Sequence, residues 1–187
     1  MVILVLYIMH CTSKEKRMFL TKKNIICIES KLKVSFEKVD DDLLMISISN
    51  ETSNHGILSY WRLTKVVGIP PLEIGIDCNN GNVASITFFV DTSYIKKSKN
   101  INTITEWGNL LVDTDIFTRV NDYVDVDQAY EINISEDKLI CAFMKESEFK
   151  KSYRNDRIEI FSNFQNQIIG FSICDLTVEE KEMMNSL

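Results

Sequence analysis

The residues of this sequence best suited to chemistry are the acids between Asp113 and Asp127. Asp113, Asp115, Asp122, Asp125 and Asp127 meet only Arg119 as a counter-charge there. Clustered carboxylates can hold a hard cation. An EF-hand loop, however, needs a Gly at its sixth position, and this stretch has none. A solvated loop is the simplest reading. The functional reading is a negatively charged docking surface that steers a basic partner and speeds its association. Tyr123 and Tyr130 are interleaved with the acids, and tyrosine is a good interface anchor. The expected partner-binding set is therefore Asp113, Asp115, Asp122, Tyr123, Asp125 and Asp127.

Other chemistry finds less support. The two histidines, His10 and His55, sit in no HExxH spacing and near no nucleophile motif. The six glycines are scattered singly, so no phosphate-cradling loop is formed. The five cysteines, Cys11, Cys27, Cys78, Cys141 and Cys174, form no CxxC. They read as small buried hydrophobes in a reducing compartment, which places the chain in the cytoplasm. No catalytic residue, cofactor or metal is expected, and the chain reads as a non-enzyme.

Composition narrows the class. At 187 residues with 45% hydrophobic content, one domain spanning 1–187 can bury a real core. A net charge of −6 argues against nucleic-acid binding, which needs Lys and Arg to displace counterions. The opening MVILVLYIMHC lacks a basic n-region and is too short to span a bilayer. It reads as a strand, or as part of an extension over 1–17 ahead of a start at Met18. No membrane contact is expected.

These residues must be positioned by strands. PPLEIGIDCNNGNVASITFFVD, from Pro70 to Asp91, alternates with period two on both sides of an Asn-Gly turn. Further hairpins are expected at 33–49, 130–143 and 157–175, with short strands over 24–29 and 57–67. The 157–175 hairpin echoes the one at 70–91. Ile158-Glu159-Ile160 matches Leu72-Glu73-Ile74, and Phe171-Ser172-Ile173 matches Ile86-Thr87-Phe88. Two hairpin-pair halves, 33–91 and 130–175, follow if the echo is a duplication; alternation alone also generates such matches. Residues 92–102 read as an exposed loop, 103–120 as a helix or irregular connector, and 145–157 as a charged connector. Thr177-Val178-Glu179-Glu180 is a capping box that starts a C-terminal helix, with Val178, Met183 and Met184 as its packing residues. The expected class is α+β: a single domain dominated by antiparallel hairpins, with a few short helices.

The stretch LEIGIDCNNGNVASITFFVD resembles a strand–polar turn–strand segment of bacterial immunity proteins, which are encoded beside polymorphic or contact-dependent toxins. The Ile-, Lys- and Asn-rich composition suits such genes. The resemblance implies a cytoplasmic protein that binds one toxin domain, here a basic one, and blocks it. It brings no catalytic residues with it. Two other classes stay open: an enzyme or small-molecule-binding domain with a site assembled between the sheets, and a structural subunit that dimerises through a hairpin edge.

Overall fold

A computed structural model describes residues 19–26, 32–50, 57–65, 68–98, 101 and 103–185. The leading segment, His10, His55, Cys11, Cys27 and the 51–56 loop lie outside the described residues. The strands are β1 (Lys22–Ile26), β2 (Leu32–Asp40), β3 (Leu43–Asn50), β4 (Leu58–Leu63), β5 (Leu72–Asp77), β6 (Asn82–Asp91), β7 (Lys96–Lys97) and β8 (Ile104–Trp107). They continue with β9 (Asn109–Val112), β10 (Tyr123–Val126), β11 (Glu131–Ile134), β12 (Leu139–Ala142), β13 (Lys151–Asn155), β14 (Ile158–Ser162) and β15 (Ile168–Ile173). Helix α1 covers Val178–Asn185, and single 3-10 turns cover Thr92–Tyr94 and Glu146–Glu148.

The strands form two sheets. The first runs β2–β3–β6–β5–β4–β10, and β9 joins the start of β6 and carries β1. The second runs β7–β11–β12–β15–β14–β13–β8. The sheets share a five-strand order: a hairpin, then a three-strand meander whose last strand returns beside the hairpin. In the first this is β2–β3–β6–β5–β4, in the second β11–β12–β15–β14–β13. The hairpins at 70–91 and 157–175 occupy the same place in the two orders. Each order is extended by a parallel strand from the segment between the halves, β10 on β4 and β8 on β13.

Period two decides the core. Leu44, Ile46 and Ile48, then Trp61 and Leu63, then Ile86, Phe88 and Val90 are buried on alternate positions of the first sheet. They share one cluster with Cys141, Phe143, Tyr153, Phe171 and Ile173 of the second half. Phe88 meets Phe171 edge-on with centroids 5.1 Å apart, and Trp61 meets Phe143 at 5.6 Å. The sheets thus pack face to face, as in a sandwich.

The expected α+β class, dominated by antiparallel hairpins, is corrected in two respects. Only one α-helix lies among the described residues, and the sheets are mixed, with parallel pairings at β10–β4, β11–β7 and β13–β8. The 103–120 stretch is not helical. β8 pairs with the second sheet, Gly108 turns at φ +143°, and β9 enters the first. Strand partners on both sides of that glycine decide against a helix. The charged 145–157 connector likewise contains β13, whose Tyr153 is buried in the core. The 92–102 loop includes the two-residue β7.

The capping box forms as written. The Glu180 amide donates to Thr177 Oγ1 at 3.2 Å, and the Thr177 amide to Glu180 Oε2 at 2.9 Å. Met184 is buried and Met183 packs beside the core, whereas Val178 is exposed.

Candidate protein-docking face

The outer faces of the two sheets carry rows that match in residue type at three of four positions. Across the first sheet, Asp125, Arg62, Glu73 and Thr87 lie opposite one another on β10, β4, β5 and β6. Across the second, Trp107, Arg154, Glu159 and Ser172 do so on β8, β13, β14 and β15. The Arg–Glu–hydroxyl order repeats, but the surroundings differ.

On the second sheet the row is partly covered. Phe149 from the 143–150 connector stacks on Phe161 at 4.4 Å, and Ile101 and Met144 pack against the same small apolar cluster. Glu159 is buried. Its Oε2 accepts from Lys138 Nζ at 3.0 Å and from Ser172 Oγ at 3.4 Å, and its Oε1 accepts from Thr105 Oγ1 at 3.4 Å. Burial alone would raise its pKa, but the Ser152 hydroxyl, Lys138 and Arg154 together hold it below the ordinary carboxylate value. A polar cavity of about 310 Å³ opens beside Lys138, Glu159 and Phe161. Cys174 lies against Glu159, but burial raises its thiol pKa, which favours the unreactive form.

On the first sheet the row is open. Arg62 Nε donates to Asp125 Oδ1 at 2.6 Å, its Nη2 to Oδ2 at 2.9 Å, and Glu73 lies 3.5 Å from Nη1. The Asp125 hydrogen bond leads the effects that raise the Arg62 pKa. The guanidinium sits 4.7 Å from the Tyr123 ring centre, and Tyr123 stacks on Tyr60 at 5.3 Å, 14° from parallel. Gly75 makes room for this stack, since a Cβ there would lie 3.2 Å from the Tyr60 ring and 2.4 Å from Ser85 Oγ. Tyr123 remains 51% exposed. The result is a flat aromatic and guanidinium surface at the β10 edge, suited to contact with another macromolecule.

The residues singled out from sequence are distributed around this surface. Tyr123 and Asp125 belong to it. Asp122 organises the preceding loop. It accepts from the Thr118 amide and hydroxyl at 2.9 Å each, and the amide bond leads the effects that lower its pKa. Asp113 accepts from the Asp115 amide at 3.0 Å, so it too shapes the loop. Asp127 is exposed. Tyr130 is not an exposed anchor: it is buried, its hydroxyl donates to the Phe89 carbonyl, and burial pushes its pKa up. Tyr60, Arg62 and Glu73 were missed, because their role arises only from pairing across strands. Their signal was placement on the polar phase of the period-two strands at 58–63 and 72–77.

Among the described residues, no group of three or more His, Cys, Asp or Glu is placed to hold a metal. A wider cleft of about 620 Å³ opens at one end of the sandwich, between Phe89 and Asp91 of the first sheet and Lys96, Glu131 and Ile132 of the second. It has the size of a small-molecule site. No helix of the described residues is long and apolar enough to cross a membrane.

Asp125 is half exposed, so its pair with Arg62 adds little to stability. Asp125→Ala is expected to change unfolding free energy by less than about 1 kcal/mol in urea titration. A larger loss would make the pair a structural clamp. No protein-family model matches the chain, and no curated protein matches it significantly.

Proposed function

We propose that this chain is a non-enzymatic protein-binding module, an immunity protein that neutralises a cognate bacterial toxin by binding it. One observation carries the reading. The Tyr60–Tyr123 stack and the Asp125–Arg62–Glu73 row lie on an open sheet face, whereas the equivalent row of the second sheet is partly covered by the chain itself. Tyrosine and arginine together on a flat exposed surface are the composition of an interface centre. The net charge of −6 favours a basic partner. The sequence resemblance of the 72–91 hairpin to a segment of immunity proteins supports a toxin as the partner class.

The test uses the product of the neighbouring upstream gene, expected to be the toxin. The purified pair is expected to form a complex, and co-expression is expected to relieve toxicity. Tyr60→Ala together with Tyr123→Ala should weaken the complex at least tenfold, the scale of two interface anchors. Asp125→Lys with Asp127→Lys should slow association at low salt. Absence of any complex overturns the immunity reading. A complex indifferent to Tyr60 and Tyr123 places its interface elsewhere.

A further inference from the structure

Strand β2 is the longest sheet edge among the described residues, nine residues that pair only with β3. The other edges are short or closed. β1 has five residues, β10 and β8 have four each and β7 has two. On β10, the Tyr123 amide is already taken by Asp122 Oδ1 at 3.0 Å. Among the described residues β2 has no second strand partner, although α1 approaches it, and such an edge offers a row of backbone donors and acceptors to another strand.

The side chains of β2 say which strand fits. Lys33, Ser35 and Glu37 are exposed on one face, while Leu32, Val34 and Phe36 are half-buried on the other and pack against the core. Neither Lys33 nor Glu37 is in an ion pair among the described residues. If two copies of β2 meet antiparallel about a two-fold axis at Ser35, Lys33 of each faces Glu37 of the other. Ser35 then faces Ser35, and Val34 faces Phe36. Shifting the axis to Phe36 leaves Lys33 opposite Val39 and Glu37 opposite Ser35, and shifting it to Glu37 sets Glu37 opposite itself. Charges on an edge normally discourage pairing. Here the register about Ser35 sets Lys33 against Glu37 twice, and Leu32 meets the aliphatic stem of Lys38.

We propose that β2 is a self-association edge, which joins two copies of this chain antiparallel about Ser35 to make one continuous sheet from their first sheets. The contact is isologous, as a two-fold requires. It lies at the edge of the sheet opposite β10, so the toxin-binding reading stands or falls independently of it.

The experiment measures mass in solution by light scattering at roughly 100 μM, where a micromolar dimer is saturated. The wild-type chain is expected to be a dimer that weakens with added salt. Glu37→Lys sets Lys33 against lysine twice, and Lys33→Glu sets Glu37 against glutamate twice. Each single variant is expected to be monomeric and to unfold thermally like the wild type diluted to where it is monomeric, because both positions are exposed. Mixed in equal amounts, the two variants restore both pairs and are expected to form a heterodimer. A monomeric wild type at low salt overturns the proposal. So does a Glu37→Lys dimer as tight as the wild type, or a mixture that stays monomeric.

Discussion

Replacing Gly81 with Ala is expected to cost about 3 kcal/mol of stability, at the upper end for backbone strain at one residue. Gly81 has φ +79°, a region that L side chains rarely adopt. A Cβ there would lie 2.3 Å from the Val112 carbonyl oxygen, which is backbone and cannot swing aside. The turn is fixed on both flanks. The Gly81 amide donates to the Asp77 carbonyl at 2.8 Å, and the Gly81 carbonyl accepts from the Val112 amide at 2.8 Å. Relieving the clash therefore displaces either the β5–β6 turn or β9. The measurement is urea unfolding, with a lower midpoint and an unchanged slope. Gly81→Asn separates the two causes, because Asn tolerates positive φ but still carries a Cβ. It should be nearly as damaging as Ala. A loss below about 1 kcal/mol for Ala, the scale of Gly versus Ala in ordinary backbone, would show that the turn relaxes freely.

The same turn shows how far the sequence could be read. Asn80-Gly81 was legible as a reversal, but only Gly81 takes positive φ. Asn80 instead closes the loop through its side chain, accepting from the Asn82 amide and donating to Asp77. The hairpins at 33–49, 70–91, 130–143 and 157–175 were legible because each alternates along its sequence and pairs with a near neighbour. β8 and β10 were not, because each is only four residues long and pairs in parallel with a strand far away in the chain, β13 and β4. β13 was hidden by Lys151 and Arg154, whose charges resemble a connector's although Tyr153 between them enters the core. The acidic cluster was legible as a cluster. Its division into loop-forming and surface acids was not, because Thr118 and Arg62 decide it and one of them lies on another strand. The Glu73–Glu159 match was also visible in sequence, and the two acids fall at equivalent places in the two sheets. A duplicated five-strand unit would leave that arrangement. The two rows differ in their surroundings: one is left open and the other is partly covered.

That covered row carries the second large effect. Lys138→Met is expected to destabilise the protein by about 3 kcal/mol, the lower end for breaking a buried pair, since Lys138 itself is partly exposed. The lysine holds the Glu159 charge in a site with 4% side-chain exposure. Burial opposes the Lys138 charge as well, but its bond to Glu159 wins and its pKa is raised. The pH dependence follows from the direction of each shift. Glu159 has a folded pKa below the ordinary 4.5. Its contribution is present above that value and is lost as pH falls through the folded pKa. Lys138 has a folded pKa above the ordinary 10.5, so its contribution is present below that value and is lost as pH rises through the folded pKa. Unfolding free energy measured against pH should therefore fall on the acid side in the wild type. In Lys138→Met the acid-side fall due to Glu159 should shrink or reverse, because an unpaired buried carboxylate has its folded pKa raised toward or above the unfolded value, so that protonation no longer disfavours the folded state. Adding Glu159→Gln to Lys138→Met removes the stranded charge and should recover about 2 kcal/mol, a coupling within the range for residues in direct contact. If the double variant is as unstable as the sum of the two single ones, the pair does not act as a unit, and Lys138 supports the fold through the packing of its stem alone.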